Sequence, residues 1–214
     1  MKLESRIILA LDVTDESKAM GIVEQVRSHI DAVKVNYPFA LGCGMGAVKK
    51  LAGKIDVICD FKVADIPNTN RLIVEQARKS GAKGIICQAF PGRDSLEACI
   101  KAADGMDVFV VTEMSHPGAD MFMTPVAKKM ARLAVEVGAA GIIAPATRPE
   151  EVKSLRKIIG GLKILAPGVG AQGGTAADTI RAGADYVIVG RTIYEAKDPN
   201  EAVLKIVKEI QEAL

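Results

Sequence analysis

Eight short apolar runs punctuate this sequence from end to end, at positions 7–13, 32–36, 57–62, 84–88, 108–114, 141–146, 164–169 and 186–190. Each is bounded by turn formers, and most are rich in Val and Ile. Parallel strands covered by helices on both faces have this near-continuous apolar character. The stretches between them have helical length and amphipathic spacing, as over 17–29, 71–79, 126–137 and 201–214. Three helix-to-strand junctions repeat one punctuation: Ser80-Gly81-Ala82-Lys83, Val137-Gly138-Ala139-Ala140 and Ala182-Gly183-Ala184-Asp185. A glycine just past a helix end adopts the left-handed conformation without a Cβ clash. Eight βα units with no long linker predict one α/β domain spanning 1–214, a single (β/α)8 TIM barrel rather than a doubly wound open sheet. In such barrels the chemistry sits at the C-terminal ends of the strands.

Composition narrows the function. Hydrophobic residues make up 49% and charged residues 25%, which fits a globular chain rather than a disordered one. The net charge is +2, and Lys49-Lys50 and Lys128-Lys129 are the densest basic pairs. With five Phe, three Tyr and no Trp, there is no stacking platform for single-stranded nucleic acid, and no nucleic-acid partner is expected. No run approaches the ~20 apolar residues that cross a bilayer, so no membrane partner is expected. The apolar stretch 7–11 is too short for a leader core and stops at Asp12, so the expected location is cytoplasmic. Cys43, Cys59, Cys87 and Cys99 form no CxxC pair, and His29 and His116 lie far from them in sequence. That spacing argues against zinc and for reduced thiols, with Cys59 and Cys87 in the core.

Charge stands where a core strand should be apolar. Side chains alternate along a strand, so Ile58, Asp60 and Lys62 share one face while Val57, Cys59 and Phe61 share the other. The apolar face meets the helices, which turns Asp60 and Lys62 into the barrel mouth. Lys34 falls on the face of Ala32 and Asn36, and Asp12 on that of Ile8 and Ala10. Ion pairs that close the barrel top are the alternative explanation. Bridges that only stabilise are replaceable by apolar packing, so a set of them at the strand tips points to catalysis. The later tips suit a phosphate: Pro167-Gly168-Val169-Gly170-Ala171-Gln172-Gly173-Gly174-Thr175 follows strand seven, and Gly190-Arg191 ends strand eight. Glycine-rich turns let backbone N–H groups approach an anion, and these two loops form the usual phosphate site of such barrels.

Asp60-Phe61-Lys62-Val63-Ala64-Asp65-Ile66-Pro67-Asn68-Thr69 resembles the DxKxxDIPNT signature of orotidine 5′-monophosphate decarboxylases. Leu11-Asp12, Lys34, Thr112-Glu113-Met114-Ser115-His116-Pro117-Gly118, Pro167-Gly168-Val169 and Val189-Gly190-Arg191 follow in the family's order, so the resemblance covers essentially the whole chain. It implies that Lys62 donates a proton to C6 of the pyrimidine and that Asp60 lies near the departing carboxylate. It implies a charge network of Lys34, Asp60, Lys62 and Asp65, with Asp12, Lys34 and Asp65 on the ribose hydroxyls. Ser115 would bind the pyrimidine amide edge, and Gln172, Arg191 and the Gly190 backbone the phosphate, with Pro167 also in the substrate site. Asp65, Ile66 and Thr69 would reach into a partner's site, making a homodimer. No cofactor and no metal are implied.

No cofactor motif offers an electron sink, so a fixed cation must stabilise charge at C6. By strand parity Val111, Ile86 and Ile188 face inward, where they are expected to form a dry wall. The glycines of loop seven would let it close over the phosphate and open again. The nearest rival is a magnesium-dependent sugar-phosphate decarboxylase or aldolase of the same barrel suprafamily. It shares DxKxxD but needs an acidic metal ligand at the end of strand two, where this chain has Lys34 and Asn36. An epimerase barrel fails on its count of metal-binding histidines, since His29 falls in an expected helix and His116 in a loop. A non-catalytic phosphate-binding barrel would leave Lys62 unexplained.

Overall fold

The computed structural model describes residues 3–214. Its strands are β1 (Ile7–Ala10), β2 (Ala32–Asn36), β3 (Val57–Val63), β4 (Gly84–Gln88), β5 (Asp107–Val111), β6 (Gly141–Ile143), β7 (Lys163–Pro167) and β8 (Tyr186–Val189). All are parallel and pair in chain order, and β8 returns to β1 through Leu9 opposite Val189 to close the barrel. The helices are α1 (Glu16–Val26), α2 (Tyr37–Ala52), α3 (Pro67–Lys79), α4 (Arg93–Ala103), α5 (Ala119–Phe122), α6 (Ala127–Glu136), α7 (Pro149–Ile159), α8 (Ala176–Arg181), α9 (Arg191–Tyr194) and α10 (Pro199–Gln211).

Alternation along each strand sorts the core into two layers. Ile8, Ala32, Ile58, Phe109, Leu165 and Tyr186 fill the barrel interior. Ile7, Leu9, Val33, Val35, Cys59 and Phe61 face the helices. At Gly141 the approach of β6 to β7 is so close that a Cβ would lie 2.3 Å from the Lys163 carbonyl oxygen. The three repeated junctions are Schellman turns. Gly81, Gly138 and Gly183 have φ of 79°, 73° and 106°, and the following N–H of Ala82, Ala139 and Ala184 reaches back to Ala77, Ala134 and Thr179.

Most strands stop short of their apolar runs. The runs continue to Val13, Met114, Ala146 and Val169, but the ladders end at Ala10, Val111, Ile143 and Pro167. Beyond the ladders, Asp12, Glu113, Met114, Gly168 and Val169 line the barrel mouth. Helix α3 starts four residues before the amphipathic stretch that marks it, because Pro67 supplies the fixed φ of a first helical turn. Helix α1 ends at Val26, which leaves His29 beyond the helix rather than inside it. Cys59, Cys87 and Cys99 are buried, Cys43 is half-buried, and all four are free thiols. Among the described residues no helix is long and apolar enough to cross a membrane.

Candidate active site

The tips of β1, β2 and β3 bring four charges into one row. The Lys34 ammonium donates to Asp60 Oδ2 at 2.8 Å and lies 3.9 Å from Asp12 Oδ1. The Lys62 ammonium donates to both Asp60 oxygens at 2.9 Å. Signs alternate along the row from Asp12 to Lys62. The inner pair, Lys34 and Asp60, has side chains only 8% and 7% exposed, whereas Lys62 and Asp12 open to the cavity. Burial pushes the Asp60 carboxyl up, but Lys34 and then Lys62 outweigh it and bring it below the ordinary carboxylate value. Two buried charges gain little net stability from their pairing, so this arrangement marks a functional centre.

Lys62 holds its place through an unusual backbone. Between Cys59, which pairs with Ile85, and Val63, which pairs with Cys87, the β3–β4 register shifts by a bulge. Within it Lys62 has φ of 41°, in the left-handed region. A side-chain-bearing residue held there costs about 1–3 kcal/mol, and such strain collects at functional sites. No residue type in this stretch signals the bulge, so the sequence gives no warning of it.

The row floors a cavity of about 240 Å³ at the C-terminal end of the barrel. Ile86, Val111 and Ile188 form an apolar wall beside the charges, as strand parity predicts, joined by Ile143. Pro167, Gly190 and the exposed Arg191 line the opposite side. The Arg191 guanidinium has no carboxylate partner among the described residues. Loop seven folds back on itself: Gly170 N–H donates to Gly174 O at 2.8 Å, and Gly174 N–H to Gly168 O at 3.0 Å. Gly170 has φ of 76°, and a Cβ there would lie 2.3 Å from Thr192 Oγ1. The loop's tip crosses the mouth, where Gln172 Oε1 accepts from the Ser115 hydroxyl at 2.7 Å.

Asp12, Lys34, Asp60, Lys62, Ser115, Pro167, Gln172, Gly190 and Arg191 therefore meet around one cavity. Asp65, Ile66 and Thr69 do not line it. Within one chain the charge row ends at Lys62, and Asp65 turns away into the β3–α3 loop. The buried amide of Asn70 clasps the Asp65 backbone, accepting from its N–H and donating to its carbonyl, both at 2.9 Å. The Ser95 hydroxyl donates to the same carbonyl at 2.9 Å. Ile66 is left 66% exposed.

Asn36, Glu113, Met114 and Tyr194 also line the cavity and were not expected there as site residues. Asn36 shares the inward face of Lys34, so parity could have found it. Glu113 was signalled by an acid inside an apolar run. It is wholly buried and bonded to Arg148 and Thr124. Among the described residues no group of three or more His, Cys, Asp or Glu side chains is placed to hold a metal ion.

The comparisons with known proteins converge on this geometry. The orotidine 5′-phosphate decarboxylase / HUMPS family profile matches residues 5–206. The orotidine 5′-phosphate decarboxylase of Methanococcoides burtonii is 58% identical over 213 residues, 98% of this chain and 99% of that one. The enzyme of the same name from Thermococcus kodakarensis is 48% identical, covering 99% of each chain. Among solved structures, the orotidine 5′-monophosphate decarboxylase of Methanocaldococcus jannaschii complexed with inhibitor BMP superposes with a TM-score of 0.91 at 42% identity, over 95% of this chain and 97% of that one. The Pyrococcus horikoshii enzyme gives 0.90 at 45% identity, over 96% and 99%. A closed barrel, an Asp–Lys row at its mouth and full-length kinship at this identity lead to one conclusion: the chain belongs to the orotidine 5′-phosphate decarboxylase / HUMPS family.

Proposed function

We propose that residues 1–214 form one catalytic domain that decarboxylates orotidine 5′-monophosphate to uridine 5′-monophosphate, the last step of de novo pyrimidine nucleotide synthesis, without metal or cofactor. The observation that carries this reading is the Lys62 ammonium, 2.9 Å from both oxygens of buried Asp60 at the floor of the cavity. Loss of carbon dioxide breaks the bond between C6 and its carboxylate, and the electron pair stays on C6. Lys62 stabilises that developing charge and then gives C6 its proton. Asp60 holds the ammonium in place through both its oxygens, and it lies near the departing carboxylate. Lys34 neutralises the far side of Asp60. Ile86, Val111 and Ile188 keep water from the carbanion-like centre, which strengthens the electrostatic interaction.

The remaining roles are those that the family resemblance implies. Asp12 and Lys34 hold ribose hydroxyls, and Ser115 takes the pyrimidine amide edge. Gln172, the Gly190 backbone and Arg191 take the phosphate, with Pro167 packed beside them. Asp65, Ile66 and Thr69 serve a second copy of the chain in a cytoplasmic homodimer. Their turn away from the chain's own cavity and the exposure of Ile66 support this assignment. Lys34 and Asn36, at the strand tip where a magnesium-dependent relative needs an acid, speak against the sugar-phosphate alternative.

Loss of pyrimidine ultraviolet absorbance, followed with orotidine 5′-monophosphate and excess EDTA, tests the proposal. Rapid turnover is expected, and Lys62→Ala is expected to abolish it. No turnover in EDTA, with magnesium restoring activity only on a sugar phosphate, would move the chain to the other branch of its family.

A further inference from the structure

Strand β2 ends at Asn36, opposite Asp60. The next residue, Tyr37, opens α2, so the backbone ladder stops one step before it would reach Phe61. A side chain takes its place. The Tyr37 hydroxyl donates to the Phe61 carbonyl at 2.5 Å, and the two rings stack with centroids 5.6 Å apart at 17°. That carbonyl lies in the same rigid plane as the N–H of Lys62. Rotating the plane changes ψ of Phe61 and φ of Lys62 together. Strand residues ordinarily have φ near −120°, whereas Lys62 has 41°. The plane therefore needs an anchor, and it sits inside the bulge where the β4 register is broken. Arg6 and Asp104 are the other side-chain-bearing residues with positive φ among those described, and neither lines the cavity.

We propose that Tyr37 is a positioning residue for Lys62: its hydroxyl fixes the Phe61–Lys62 peptide in the orientation that aims the Lys62 ammonium at Asp60 and the cavity. This rests on the reading of Lys62 as the proton donor. Tyr37 does not line the cavity, so it acts only through the backbone of its neighbour strand. Burial, with the nearby Asp60 charge, raises the pKa of its hydroxyl, which keeps it a donor at neutral pH.

Tyr37→Phe keeps the stacked ring and removes only the hydroxyl. Its kcat on orotidine 5′-monophosphate should fall ~10- to 100-fold, the scale of a misplaced catalytic group. Its KM and its affinity for uridine 5′-monophosphate should stay within about twofold, since no binding contact is lost. Tyr37→Leu should lose at least as much. An unchanged kcat in Tyr37→Phe would overturn the proposal. So would a matching loss of product affinity or of the fold, either of which would make the hydroxyl a general prop. A normal Tyr37→Phe beside an impaired Tyr37→Leu would assign the effect to ring packing and overturn it as well. Lys62→Ala, run alongside, separates the two levels. If that variant turns over normally, the reading of Lys62 itself fails. If it is inactive while Tyr37→Phe is normal, only the positioning role fails.

Discussion

The Ser115 hydroxyl and Gln172 Oε1 meet at 2.7 Å across the mouth of the barrel, joining the loop after β5 to the loop after β7. One contact thus links the proposed pyrimidine site to the proposed phosphate site. Gln172→Ala removes the bridge and one phosphate donor. Its KM should rise ~10- to 100-fold, in line with the ~1.5–3 kcal/mol carried by a hydrogen bond to a charged group, while kcat at saturation changes less. Steady-state kinetics would show the split. A fall in kcat at constant KM would place Gln172 in the chemical step instead.

Among the described residues the Arg191 guanidinium at the cavity rim has no carboxylate partner, an arrangement suited to a dianionic ligand. Arg191→Gly should weaken substrate and nucleotide-product binding ~10- to 100-fold. The same substitution should leave the weak turnover of the phosphate-free nucleoside unchanged. Equal losses on both substrates would remove Arg191 from the phosphate site.

Asp60 sets an acid limit on stability. Its folded carboxyl titrates below the unfolded value of ~3.9 because the two lysines outweigh its burial. The stability it contributes is therefore complete above the unfolded value and is lost as pH falls through the folded one. Melting temperature should decline below about pH 4, and part of that decline should vanish in Asp60→Asn. The same variant should be destabilised near neutrality by up to about 3–5 kcal/mol, because buried Lys34 would lose its closest carboxylate and keep only Asp12 at 3.9 Å. Thermal melts across about pH 2.5–8 read both effects. An Asp60→Asn protein that keeps the full acid slope would assign it to other carboxylates.

Burial pushes the Cys59 thiol up to about 12, with the Asp60 charge adding to the effect. At pH near 8 its thiolate fraction is then ~10⁻⁴, and the thiolate is the reactive form. A disulfide-exchange reagent should label only half-buried Cys43 in the folded protein, slowly, and all four thiols after unfolding. Fast labelling of Cys59 or Cys87 in the native state would mean that the β3–β4 wall opens.

The closed barrel was legible because its signals are local and repeated. Apolar runs, amphipathic stretches and glycines such as Gly138 each report on their own few residues. The inward direction of Asp12, Lys34, Asp60 and Lys62 followed from parity, and so did the wall of Ile86, Val111 and Ile188. The strand ends were misjudged because apolar character continues after the ladder stops, as at Met114 and Val169, which line the cavity. The bulge at Lys62 and the Tyr37 contact were invisible because they arise from pairing between segments far apart in sequence. Asp65 joined the expected network only through family likeness, and the single chain turns it elsewhere.

The closing pair of strands has a consequence for how this protein comes to work at all. The charged row is encoded between residues 12 and 62, and the anion-binding loops between 167 and 191. Leu9 opposite Val189 is the seam that joins these distant parts. It is the pairing of greatest sequence separation, and so carries the largest loop-closure entropy. Until that seam forms, the proposed proton donor and the proposed phosphate site stand apart. On the proposed reading, no turnover precedes closure of this seam.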